Sequence, residues 1–139
     1  MSYESESESK RLINKHLALR QVFEAKSAHL KWRAYALGMV ENVDCPPECA
    51  PLSSAECEFG KWYFGQGKEL LEDTVFYHSL EPPHEILHAL YWKIYGLARD
   101  GELDEARRCL PSLREASDIL LQALSYLEAE IAEMPPHRP

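Results

Sequence analysis

Apolar side chains recur at helical spacing over most of the chain, and prolines and glycines mark the breaks between helices. From about Lys10 to Asn42 there is no proline and a single glycine, Gly38, which predicts one long first helix. Residues 43–54 carry three prolines and predict the main connecting loop. Residues 10–54 are therefore predicted to form a long helix followed by an irregular segment.

Capping residues and helix breakers predict the bounds of the remaining helices. Ser54 is predicted to cap a second helix, and a third is expected over residues 68–79. Proline suits the first turn of a helix, so a fourth helix is predicted over about residues 83–100. Residues 102–134 read as helical, with a kink or break expected at Pro111.

These elements predict an all-α protein, an antiparallel bundle of four to five helices. After Pro111 one inward face is marked by apolar residues at three-then-four spacing: Leu113, Ala116, Leu120, Leu124, Leu127 and Ile131. The fourth helix is apolar around most of its circumference, which predicts burial on more than one side and hence a homodimer.

Length and composition favour one ordinary globular domain of 139 residues, with 45% apolar and 27% charged residues. The alternating Ser and Glu residues predict a disordered acidic tail over 1–9, a single helical domain over 10–134 and a flexible tail over 135–139. A net charge of −8 disfavours binding to nucleic acid. No stretch is apolar enough for membrane insertion and no secretion signal is evident, which predicts a cytoplasmic protein whose cysteines are reduced thiols or metal ligands.

The string HEILH carries the first candidate chemistry. His84 and His88 stand four residues apart, so their imidazoles project about 40° apart from one helix face and can share a metal ion. Glu85 follows the first histidine, as in the HExxH pattern of zinc proteases, where that glutamate is a general base. Two further segments add His29 and Cys57. One thiolate and three neutral imidazoles fill a tetrahedral Zn²⁺ shell and leave no position for a catalytic water.

The chain resembles the chemoreceptor zinc-binding (CZB) domains of bacteria. The family pattern is a histidine followed three residues later by an aromatic, then C-x-apolar-G-x-apolar, then H-x-x-x-H. The positions that match it, in this order, are His29 with Trp32, Cys57 with Phe59, Gly60 and Trp62, and His84 with His88.

The resemblance implies a helical, dimeric, cytoplasmic zinc domain that responds to zinc or to oxidants such as hypochlorous acid. Family members are usually joined to chemoreceptor signalling domains or diguanylate cyclases, whereas no such output module follows Met134 here. A stand-alone regulatory module that signals by contact with such a protein is therefore expected.

Cys57 is the expected redox-sensitive residue, because a zinc-held thiolate is nucleophilic and its oxidation to sulfenic acid weakens it as a ligand. Glu56 and Glu58 flank Cys57 and are expected to tune the reactivity of its thiolate or to accept a proton from a ligating imidazole. Gly60 is expected to lie beside the ligands, and Trp32 and Trp62 are expected to keep water from the metal.

Several alternatives stay open. The zinc ion could be a purely structural staple, or the protein a zinc buffer, and a hydrolase that uses Glu85 as its base is a more distant reading. Cys45 and Cys49 could be free loop thiols, a disulfide, a second metal half-site or partners that resolve an oxidised Cys57. Cys109 is expected to be a partly buried apolar residue.

Overall fold

The chain folds into helices of very different lengths. The computed structural model describes residues 3–43, 47, 50, 51 and 53–134, with side chains from Asn14 onward. The α-helices of this part are α1 (Tyr3–Val40), α2 (Glu58–Phe64), α3 (Gln66–Leu71), α4 (Glu81–Arg99) and α5 (Leu103–Glu133), and a 3₁₀ turn at His78–Leu80 precedes α4. The described residues contain no strand. The predicted all-α class is therefore confirmed.

Helix α1 runs antiparallel to α5 along most of its length. Lys15 Nζ donates to the carbonyl oxygen of Met134 at 2.9 Å, and Lys26 pairs with Glu128 further along. Arg33 Nη1 then reaches Asp118 Oδ1 at 2.9 Å. Because the partner number falls as the α1 number rises, the two helices point in opposite directions.

The start of α1 differs from the sequence-based expectation. A disordered tail was predicted over residues 1–9, but the helix begins at Tyr3 and includes residues 3–9. Extending an existing helix fixes one residue for each new hydrogen bond, and no proline or glycine interrupts this segment. The predicted flexible tail at 135–139 lies outside the described residues.

The short middle elements also differ from the prediction. Cys57, and not Ser54, is the N-cap of α2, because the backbone N–H of Glu56 bonds to the Ser53 carbonyl and places Ser54 in a turn. Helix α3 ends at Leu71, whereas the prediction carried it to about Ser79. Segments this short lack a helical repeat that the sequence could display.

The last two helices are joined by a tight turn at Gly101. This glycine has φ 82°, and the N–H of Glu102 bonds to the Leu97 carbonyl at 2.8 Å, which closes the end of α4. Helix α5 then continues through Pro111 to Glu133, so the predicted break there does not occur. Pro111 lies on the exposed side of the helix, where its ring displaces no core side chain.

Two apolar clusters fill the interior. The short-helix cluster lies between α2, α3 and the facing halves of α1 and α5, and includes Val22, Phe59, Tyr63, Leu71, Leu80, Leu124 and Leu127. The long-helix cluster joins α1, α4 and α5 at the other end through Ala36, Val40, Tyr91, Ile94, Ala106 and Leu113.

A buried polar layer separates these clusters along the chain. It consists of His29, His84, His88 and Ser117, each at most 5% exposed. His29 falls between the cluster residues Ala25 and Ala36 of α1, and Ser117 between Leu113 and Leu120 of α5. Thr74 is the one other buried polar side chain in the described part of the chain. The fold thus concentrates its buried polar groups in one place.

None of the helices in the described part of the chain combines the length and apolar character needed to cross a membrane.

Candidate metal centre

Cys57 is held by the first turn of α2. Its backbone is extended, and its Sγ accepts a hydrogen bond from the Gly60 N–H at 3.2 Å, as an N-cap side chain does. A Cβ atom on Gly60 would lie 1.8 Å from the Ser54 carbonyl oxygen. Only glycine therefore allows the 53–56 turn to pack against α2 and fix the thiol in this position.

The two histidines of HEILH stand one turn apart at the start of α4. Pro82 and Pro83 lie in the first turn of this helix, where proline is well tolerated. His84 Nε2 lies 3.0 Å from His88 Nε2 and 3.3 Å from Cys57 Sγ. The donor atoms of Cys57, His84 and His88 all lie within 4.8 Å of one another, and all three residues are buried.

His29 belongs to the same cavity but not to that close group of three. It projects from the middle of α1, is 3% exposed and lines the cavity with Cys57, His84 and His88. Its Nε2 atom lies 2.9 Å from Ser117 Oγ on α5. The structure thus brings three of the four predicted ligands together and places the fourth beside them, paired with a serine.

The cavity has a volume of about 220 Å³ and aromatic walls. Trp32 lies against His88 with ring centroids 6.0 Å apart, and Phe59 lies against His84 at 4.4 Å. Ala28, Tyr35 and Leu87 also line the cavity. Such walls limit the access of water and strengthen electrostatic interactions inside the cavity.

Burial sets the charge state of the imidazoles. It lowers the pKa of His29 to about 4, with further lowering by the Arg33 guanidinium and by His88. It likewise lowers the pKa of His84 to about 3, with His88 and His29 as further causes. Both side chains are therefore neutral at pH 7 and hold a lone pair for a metal ion.

The thiol responds to burial in the opposite sense. Burial raises the pKa of Cys57, and hydrogen bonds from the N–H groups of Gly60 and Phe59 and from its own N–H offset only part of that rise. The nearby carboxylate of Glu58 raises the pKa further. A bound cation would favour the thiolate, which is the form that ligates metals.

This donor set fits zinc. Bonds of about 2.0–2.3 Å in a tetrahedral shell set ligand atoms roughly 3.3–3.7 Å apart, close to the observed 3.3 Å between Cys57 Sγ and His84 Nε2. One sulfur with imidazole nitrogens matches the ligand preference of Zn²⁺ and not that of Mg²⁺ or Ca²⁺. Three buried donors of this kind within 4.8 Å of one another could hold a metal ion.

Comparison with known proteins agrees with this geometry. The sequence of residues 29–95 matches the family model of the chemoreceptor zinc-binding domain. Residues 29–95 belong to the CZB family. That stretch begins at His29 and contains Cys57, His84 and His88. Searches among curated proteins and among solved structures give no match.

The remaining predicted site residues of the CZB domain lie at different distances from its cavity. Glu58 lines it, whereas Glu56 is exposed and accepts a hydrogen bond from the Ser53 N–H. Trp62 lines a neighbouring cavity, and its Nε1–H donates to Gln21 Oε1 at 2.7 Å. Glu85 is exposed and is not among the residues that line the metal cavity.

The other cysteines do not join the cluster in the described part of the chain. Cys109 is a half-buried free thiol on α5, packed against the long-helix cluster. Cys45 and Cys49 lie outside the described residues, so their predicted alternatives stay predictions.

Sequence reasoning missed Ser117, a residue of α5 whose Oγ contacts His29 Nε2. The available signal was a serine on the inward face of α5, between the apolar residues Leu113 and Leu120. It carries no motif, because a single serine in a helix is ordinary and only the packing of α5 against α1 brings it to His29.

Proposed function

We propose that this CZB domain is a zinc-binding regulatory module that holds one Zn²⁺ ion through Cys57, His84, His88 and His29. The observation that carries the proposal is the buried group of Cys57, His84 and His88, whose donor atoms all lie within 4.8 Å of one another. His29 lines the same cavity, and it is the fourth ligand of this proposal.

Metal content and ligand type test the zinc site. We expect one zinc per chain by elemental analysis and a shell of one sulfur and three nitrogens by X-ray absorption. His84→Ala should lower zinc affinity by about 100-fold or more, because it removes a ligand. His16→Ala is the matched control, since His16 is an exposed histidine on α1. A purified protein that holds no zinc after metal addition, or a shell without sulfur, would contradict the assignment.

The proposed response is to zinc availability or to an oxidant such as hypochlorous acid, with Cys57 as the switch. A Cys57 thiolate attacks hypochlorous acid and becomes a sulfenic acid, and chloride is released, so the sulfur is oxidised and the chlorine is reduced. A sulfenic acid is a poorer zinc ligand than a thiolate. Loss of the Cys57 bond would free the first turn of α2 from α4, because Cys57 is the ligand that α2 contributes.

Mass spectrometry of the zinc-loaded protein treated with hypochlorous acid tests this switch. We expect Cys57 to be oxidised before Cys109, with zinc release measured by a chromogenic chelator. Cys57→Ser should abolish the oxidant-dependent release, and Cys109→Ser should leave it intact. If Cys57→Ser binds zinc as tightly as the wild type and still changes conformation with oxidant, the switch is wrong.

Signalling by protein contact is the proposed output. Ile86 and Trp92 on α4 are each more than half exposed, an unusual exposure for large apolar residues and one that a second subunit could cover. We propose a homodimer in the cytoplasm, and a chemoreceptor, diguanylate cyclase or other signalling protein with a similar domain as partner. Light scattering with and without zinc tests the dimer, and Trp92→Glu should shift it toward monomer.

A purely structural zinc ion is the second candidate, and the polar layer favours it. Three of the four side chains in this layer are the histidines of the proposed ligand set, and a bound cation would stabilise them whatever else the domain does. A zinc dissociation constant far below the cellular concentration of free zinc, with no effect of oxidant on zinc content, would favour a structural ion over a sensor. The hydrolase alternative is disfavoured, because Glu85 is exposed away from the cavity lining.

A further inference from the structure

Ser117 occupies an unusual position for a polar side chain. It is completely buried on α5, in the row of inward-facing residues between Leu113 and Leu120. Its Oγ lies 2.9 Å from His29 Nε2 and 3.4 Å from Arg33 Nη1. It lies well beyond residue 95, where the match to the CZB family model ends. A buried hydroxyl is costly unless its partners satisfy it, so these two contacts define what Ser117 does.

Arg33 fixes the direction of one of these hydrogen bonds. A guanidinium group can only donate, so Ser117 Oγ accepts from Arg33. Arg33 is itself held by Asp118, whose carboxylate oxygen lies 2.9 Å from the same Nη1 atom. One lone pair of the serine oxygen therefore accepts a hydrogen bond from a group that can only donate.

His29 must meet a complementary requirement if it ligates a metal. A ligating imidazole is neutral, with a lone pair on the nitrogen that faces the metal and a proton on the other. In a buried site the protonated nitrogen needs an acceptor, and such an outer acceptor orients the ring. Ser117 Oγ, with its second lone pair, stands beside His29 Nε2.

We propose that Ser117 is a positioning residue of the zinc site: it accepts the Nε2–H of His29 and so makes Nδ1 the nitrogen that binds the metal. This inference rests on the proposed zinc function. It extends the site from α1, α2 and α4 to α5.

Zinc affinity and histidine spectra of the full chain test the proposal. Ser117→Ala should weaken zinc binding by about 10- to 100-fold, the usual effect of removing such an outer partner. Ser125→Ala, at an exposed position of the same helix, should leave affinity unchanged. Nitrogen-15 spectra of the zinc-loaded wild type should show His29 protonated at Nε2 and coordinated through Nδ1. In Ser117→Ala that single pattern should give way to a mixture.

A second variant keeps the test decisive if Ser117→Ala folds poorly. Ser117→Thr retains a hydroxyl oxygen that can accept from His29, so the spectra should still show His29 protonated at Nε2 and coordinated through Nδ1, with zinc affinity close to that of the wild type. Coordination of His29 through Nε2 in the wild type, or unchanged or tighter zinc binding in Ser117→Ala, would overturn the proposal. Failure of the zinc function itself looks different, because the wild type would then hold no zinc at all.

Discussion

The two apolar clusters differ in the length of the helices that form them. The long-helix cluster joins three helices of 38, 19 and 31 residues, each with many backbone hydrogen bonds of its own. The short-helix cluster includes α2 and α3, of 7 and 6 residues, which are far too short to be stable without tertiary contacts. Cys57, the thiol of the proposed zinc site, caps α2 in the short-helix cluster. A zinc ion bound there would join the short helices, which depend on tertiary contacts, to the long helix α4.

The largest expected effect is at Gly60, where the short-helix cluster depends on a close approach of two backbone segments. In Gly60→Ala the new Cβ would lie 1.8 Å from the Ser54 carbonyl oxygen, so the 53–56 turn must move. We expect a loss of about 4 kcal/mol or more in the free energy of unfolding, together with loss of tight zinc binding. Denaturant unfolding with and without zinc measures both.

The long-helix region supplies the control. Gly96 lies inside α4, and a Cβ added there meets nothing within 4 Å. Gly96→Ala should therefore stabilise the protein by about 0.5–1 kcal/mol through helix propensity. Equal destabilisation by the two substitutions would show that the contrast between the clusters is wrong.

The polar layer between the clusters should make stability depend on pH. The pKa values of His29 and His84 in the folded chain are about 4 and about 3, below the ordinary 6.5. Between pH 6.5 and about 4 the unfolded chain therefore binds more protons, and stability falls as pH falls. Without metal, the slope should approach about 2.7 kcal/mol per pH unit for two such groups.

Denaturant unfolding in a chelating buffer across this range measures the slope. His84→Gln should remove roughly half of it, because one of the two titrating groups is gone. A curve that is flat between pH 6.5 and 4.5 would show that these imidazoles are not buried in solution as they are in the structure.

Pro111 tests whether the long-helix region can be made more stable by a substitution. It lies inside α5, has no N–H to donate to the residue four positions earlier, and is exposed. Pro111→Ala should raise the free energy of unfolding by about 1–3 kcal/mol and leave zinc affinity unchanged. A decrease in stability would mean that a bend at this proline is needed for α5 to meet α1 and α4 together.

The smallest effect is expected at Asp104 in the first turn of α5. It pairs with Arg107 at 3.1 Å, but its side chain is 84% exposed. Asp104→Asn should change the free energy of unfolding by about 0.5 kcal/mol or less, and raised salt should reduce the difference. A larger change in thermal unfolding would indicate that the α4–α5 turn is more critical than its contacts show.

The same contrast explains how much of the fold the sequence predicted. The long helices were predicted because their apolar residues repeat over several turns and because breakers such as the residues around Gly101 mark their ends. The cap of α2 and the end of α3 were misplaced. Both depend on one-turn contacts, such as the Gly60 N–H to Cys57 Sγ, that no repeat can reveal.

In the candidate site, too, contacts within one helix were predictable and contacts between distant helices were not. The spacing of His84 and His88 within one helix predicted their shared face, and the structure brings both to Cys57. The pairing of His29 with Ser117 was not predictable, because 88 residues separate them and it depends on the register of α1 against α5. Local spacing identified the chemistry, whereas the partner of each side chain followed from packing.

Helix α1 passes both clusters with His29 between them, and its geometry has a mechanical consequence. From His29 back to Tyr3 it spans 26 residues, or roughly 39 Å of uninterrupted rod. A rod of that length amplifies rotation, so a tilt of about 5° pivoting at His29 would sweep its far end through roughly 3 Å. Because Ala18, Val22 and Ala25 of this segment are packed in the short-helix cluster, such a tilt would shift that cluster too, and the movement at the imidazole would reach the far end of α1 through the core.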